Sequence, residues 1–170
     1  MCDTSTPTAT NVVFQGITCA TKGTDLWITY ASGLALFVPG QNTPGDAVNV
    51  VHWGDSGKTF DPVVTVSSGP AGAQYLFPRI ARGPTGTLEI VYYQGTAGNP
   101  GTLMRATSIT GATWMASKLA DAGPFTLDRS LANWLGDYLG VAAVGKGVFS
   151  SYTENTAGKA HIGFVTVAAP

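Results

Sequence analysis

Charge is what this sequence has least of. Only 11% of its 170 residues are Asp, Glu, Lys or Arg, and among them are just four arginines and two glutamates. A net charge of -1 offers no basic surface for neutralising phosphates, so nucleic acid is not expected as a partner. Long apolar runs are missing too. The longest, Gly33 to Val38, is about a third of the roughly 18 residues that a membrane-spanning helix needs, so no membrane partner is expected. Cysteine is limited to Cys2 and Cys19, which fit either one disulfide or two idle thiols. Neither cysteine stands near a histidine cluster of the kind that holds zinc, and no metal or cofactor is expected. The first eight residues, Met1 to Thr8, lack the basic-then-apolar pattern of a secretory signal. Read as a mature fragment, the chain suits an extracellular or periplasmic location. Low charge does not mean disorder here, because 44% of the residues are hydrophobic and the length can support one domain with a real core.

What is present is a series of short segments rich in Val, Ile, Thr, Tyr and Trp, each closed within a few residues by Gly, Pro, Asn or Asp. This predicts an all-β chain with strands at 11–18, 25–31, 47–53, 63–67, 77–82, 87–93, 103–108, 117–120, 138–144, 147–153 and 161–167. A single helical turn is expected at Asp128 to Trp134. Three segments share a pattern, apolar at the first position and Tyr at the fifth: Leu26 to Tyr30, Leu88 to Tyr92, and Val148 to Tyr152. Each follows a Gly-containing turn and, before it, a short strand of small residues. A period near sixty residues suits radially repeated sheets. The expected fold is a partial, about three-bladed β-propeller of four-stranded antiparallel blades, with small inner-strand residues lining a crowded channel. The units fall at about 11–70, 71–124 and 125–170. The third has no evident fourth strand, and Asn11 to Gln15 is a candidate to complete it.

The most specific local signal is Trp53-Gly54-Asp55-Ser56-Gly57-Lys58-Thr59-Phe60. Asp55 can accept backbone N–H groups of the turn, Gly57 can adopt the positive φ of a tight reversal, and Phe60 can return to the core as the hairpin's anchor. A degraded copy, Thr107 to Trp114, keeps Gly, Thr and the aromatic at the same offsets but has Ile109 in place of the acid. With these turns the chain resembles the Asp-box (BNR-repeat) propellers of the sialidase-like superfamily, whose turn reads Ser-x-Asp-x-Gly-x-Thr-Trp. It is most similar to their C-terminal half. Trp134 to Ala142 also looks like the start of a late blade in bacterial sialidase-like proteins. The resemblance implies that Asp55, Gly57, Thr59 and Phe60 are structural, on an outer hairpin between the third and fourth strands of a blade.

Sialidases, by the same resemblance, grip a sugar carboxylate with three arginines, attack with a tyrosine assisted by a glutamate, and use an aspartate to move the proton. The chemistry requires these types, since arginine recognises a carboxylate bidentately and a phenol needs a neighbouring base. Here the family's Phe/Tyr-Arg-Ile-Pro phrase is absent, Phe77-Pro78-Arg79-Ile80 having another order, so the arginine triad does not carry over. Arg79 would either bind substrate at the channel mouth or form a salt bridge. Asp137 and Tyr138 would either supply an acid and a phenol or serve their turn and the packing between blades. Glu89 is expected to face solvent or a neighbouring blade, and His52 and His161 have no partner at ligand spacing. Two functions follow. One is a non-catalytic or incomplete carbohydrate-binding module of sialidase-like type, with a glycan as partner. The other is part of an exo-sialidase-type glycoside hydrolase whose site is completed by missing blades. An incomplete ring would expose blade faces and favour a homodimer or the missing N-terminal blades as a neighbour.

Overall fold

The computed structural model describes residues 18–22, 25–32, 46–54, 59–67, 69–96, 100–126, 139–156 and 159–168. All regular structure among them is β. The first sheet contains β1 (Thr18–Lys22), β2 (Asp25–Ser32), β3 (Ala47–Gly54), β4 (Thr59–Phe60) and β5 (Val64–Thr65). The second contains β6 (Gln74–Arg82), β7 (Leu88–Gly95), β8 (Pro100–Ser108) and β9 (Met115–Thr126), and the third β10 (Gly140–Val144), β11 (Gly147–Thr156) and β12 (Lys159–Ala168). Every pairing is antiparallel and follows chain order, except that β4 and β5 both pair with β3. Of the expected outer strand at 63–67 only Val64 and Thr65 pair as a strand, and a separate short piece, β4, precedes them. Pro62 lies between the two pieces and has no N–H to give the ladder, while Asp61 continues it with a bond from its N–H to the His52 carbonyl.

The repeat is exact at the level of register. Leu26 pairs with Trp53, Leu88 with Ser108 and Val148 with Val167, and four residues on Tyr30 pairs with Asn49, Tyr92 with Met104 and Tyr152 with Gly163. All three tyrosines are buried. The first strand of the second sheet, β6, lies against β1 on one side and β10 on the other, and β9 lies against β11. The sheets are thus stacked face to face with their first strands adjacent, which makes the chain a partial propeller. The proposed completing strand at 11–15 and the helical turn at 128–134 lie outside the described residues, as does Cys2.

The middle blade is covered on both faces. Along β7 every residue from Leu88 to Tyr93 is buried. Leu88, Ile90 and Tyr92 join Trp27, Val48 and Val50 of the first blade, whereas Val91 and Tyr93 join Leu139 and Tyr152 of the third. Alternation along one strand thereby feeds two cores. Glu89 shares the parity of Val91 and faces the third blade, fully buried rather than in solvent.

Candidate functional site

The inner strand of the middle blade is bent. Tyr93 pairs with Leu76 and Val91 with Arg79, so Phe77 and Pro78 together oppose Tyr92 alone, a two-against-one bulge. Pro78 suits that place because a bulge has no ladder bond for it to donate. Phe77 has φ 52°, the one positive value at a non-glycine among the described residues, and it is buried. Such a conformation costs about 1–3 kcal/mol and persists only where surrounding packing enforces it. Here the packing is the Tyr93 ring, edge-on to Phe77 at 6.4 Å.

The bulge re-aims Arg79. Its Nε donates to the Leu139 carbonyl at 3.1 Å and its Nη1 to the Pro78 carbonyl at 3.3 Å. Leu139 follows directly on Asp137 and Tyr138, so Arg79 is tied to the start of the third blade's inner strand. Asp137 and Tyr138 themselves lie outside the described residues. Both of these Arg79 bonds end on backbone carbonyls.

Around this point the two blades are joined by polar groups that sequence reading missed. Tyr93 Oη accepts the Thr153 N–H at 2.8 Å and donates to the Thr153 carbonyl at 3.3 Å. Burial pushes the Tyr93 phenol up to about 12, with the Thr153 bonds and nearby Arg79 pulling the other way. Glu89 takes both Nε and Nη2 of Arg105, at 2.9 and 3.0 Å, and Arg105 Nη2 also donates to the Ala168 carbonyl of the third blade. Tyr152 Oη donates to Glu154 Oε2 at 3.3 Å. That phenol–carboxylate pair has the composition of a tyrosine nucleophile and its base. Its position says otherwise, because Tyr30 and Tyr92 fill the same register in the other blades, where Ser32 and Gln94 stand in place of Glu154.

The two aromatic-ended turns sit where expected, between the third and fourth strands of their blades. Asp55 and Gly57 lie outside the described residues. Thr59 pairs with Gly54, and Phe60 is 37% exposed: it anchors the hairpin by stacking on Trp53 at 5.3 Å rather than by entering the core. In the second copy Ser108 Oγ takes the N–H of Gly111, which has φ 81°, and Trp114 Nε1 donates to the Gly111 carbonyl. Ser108 thus does the turn-closing work expected of the missing acid, and Ile109 is left in solvent.

No family model and no curated protein matches the chain. Among solved structures it is similar to the Penicillium chrysogenum alpha-L-arabinanase complexed with arabinobiose, over 86% of this chain and 41% of that one, at 17% identity and a TM-score of 0.49. It is also similar to a protein of unknown function from Dyadobacter fermentans, over 85% of this chain and 50% of that one, at 15% identity and a TM-score of 0.36. The chain spans half or less of the length of these structures.

Proposed function

We propose that the chain is a carbohydrate-binding part of a sialidase-like propeller, in which Arg79 holds the carboxylate of an acidic sugar beside the inner strands. The observation that carries this reading is the bond from Arg79 Nε to the Leu139 carbonyl, since it fixes a permanent cation next to the segment that bears Asp137 and Tyr138. A strained bulge at Phe77 sets that cation, and strain of this kind gathers at binding sites. Binding is favoured over hydrolysis because the remaining described arginines are engaged elsewhere: Arg82 lies over Trp27 and Arg105 holds Glu89. Among the described residues neither of these arginines is left to complete a grip beside Arg79.

Calorimetric titration with sialyllactose and with lactose tests the reading. Sialyllactose should bind and lactose should not, and Arg79→Ala should weaken binding by about a hundredfold, the loss of a charge-assisted pair. Equal binding of the two sugars, or none, refutes it. A second reading, a hydrolase with Asp137 as acid and Tyr138 as phenol, rests on the same bond. Release of a fluorescent phenol from a sialoside, abolished by Tyr138→Phe, would favour it.

A further inference from the structure

A separate cavity of about 310 Å³ lies between the first and second blades, at the end of the sheets where β2 begins and β3 ends. Val50, Pro62 and Val64 supply apolar wall, Trp27, His52 and Asp61 supply polar edges, and Thr110 to Ala112 of the β8–β9 turn close another side. Trp27 and His52 are direct partners on β2 and β3, and their rings stack at 4.2 Å and 22°. His52 Nδ1 is 2.7 Å from Asp61 Oδ2. A carboxylate can only accept, so Nδ1 carries the proton and Nε2 of the neutral ring is an acceptor.

That acceptor is buried and has no hydrogen-bond partner among the described residues; Asp25 Oδ1, at 3.8 Å, is beyond reach. Trp27 Nε1, which can only donate, is likewise buried and unpartnered, on a residue 6% exposed. Gly111 keeps this arrangement open: a Cβ there would stand 2.8 Å from Trp27 Nε1. One unmet donor and one unmet acceptor on stacked rings, beside an apolar wall, would each cost stability in an empty protein.

We propose that this cavity binds a neutral, hydroxyl-bearing ring of monosaccharide size, its hydroxyls accepting from Trp27 Nε1–H and donating to His52 Nε2. A hydroxyl is both donor and acceptor, which is the pairing these two atoms lack. Charge decides against the alternatives. Asp61 and Asp25 oppose an anion, and the Arg82 guanidinium, 4.6 Å over the Trp27 ring, opposes a cation. The carbon–hydrogen face of such a ring would lie on Val50, Pro62 and Val64, and the volume is at the lower end of ligand cavities. This site is independent of Arg79 and stands if that reading fails.

The test is a titration of isotopically labelled protein followed by nuclear magnetic resonance. Methyl glucoside or methyl galactoside should move the Trp27 indole N–H and the His52 ring signals saturably, with a dissociation constant of about 1 mM. Glucuronate and glucosamine, its charged relatives, should bind there more weakly, and glucuronate should instead move signals around Arg79. Ala112→Tyr, at an exposed position on the rim, should abolish the shifts in a protein that is otherwise unchanged. Trp27→Phe, read at His52, should weaken binding about five- to tenfold, one neutral hydrogen bond. No movement with either glycoside up to about 10 mM, or shifts that survive Ala112→Tyr, would overturn the proposal.

Discussion

The two junctions of this molecule use the same strand, β7, in opposite ways. Its face toward the third blade ends in polar bridges, Glu89 with Arg105 and through it Ala168, and Tyr93 with the Thr153 backbone, and leaves only Thr153 Oγ1 there without a partner among the described residues. Its face toward the first blade packs apolar residues around a cavity and leaves Trp27 Nε1, His52 Nε2, Arg82 Nε and Nη1, and Tyr92 Oη without partners among the described residues. A junction with most of its buried polar groups paired has one geometry to adopt, whereas one with many unmet groups is poised for something else to meet them. One side of the blade is thereby locked, and the other carries the proposed cavity site.

Breaking the locked junction should have the largest effect. Glu89→Gln leaves the Arg105 charge without its carboxylate in a buried site and should cost about 3–5 kcal/mol in denaturant unfolding. The double variant Glu89→Leu/Arg105→Met should recover most of that loss, because the penalty belongs to the orphaned charge more than to the missing pair. A cost for Glu89→Gln below about 1 kcal/mol would show that the bridge does not hold the blades.

Alkali should act on both junctions at once. Tyr92 and Tyr93 are both held up to about 12, for Tyr92 by burial and then by Tyr75, for Tyr93 chiefly by burial. The folded values lie above the unfolded value of 10.0. The neutral phenols therefore contribute full stability below pH of about 10, and that contribution is lost as pH rises from there toward about 12. Two units correspond to about 2–3 kcal/mol for each tyrosine. Unfolding midpoints measured across this window should fall steeply for the wild type and much less for Tyr92→Phe/Tyr93→Phe. Parallel pH curves would dispose of the linkage.

How much of this was readable beforehand follows from the range of each interaction. The blade repeat was legible because it is written in local alternation: Tyr30, Tyr92 and Tyr152 recur with their turns, and the register repeats with them. Arg79 was legible as a residue near an inner strand, although the bulge that aims it was not, since nothing in Phe77-Pro78 alone announces a positive φ. Glu89 misled because a lone carboxylate in an alternating strand looks solvated; its partners are 16 residues away at Arg105 and, through Arg105, 63 further on at Ala168. His52 seemed partnerless for the same reason. Only the pairing of β2 with β3 places it on Trp27, and only the break at Pro62 lets Asp61 reach its ring.

The sharpest comparison is between the adjacent tyrosines. Tyr93→Phe strips the Thr153 N–H and carbonyl of their shared partner in a buried place, and should cost about 1–3 kcal/mol. Tyr92→Phe removes an oxygen that is buried and unpartnered, so it should be neutral or slightly stabilising, although the ring is equally buried and its edge-on contact with Tyr75 at 5.9 Å is kept. The substitution is chemically the same at neighbouring positions on one strand. Any difference in unfolding free energy therefore reports the two faces of β7, and equal costs would mean that the first junction hides a partner for Tyr92 and is as fully bonded as the second.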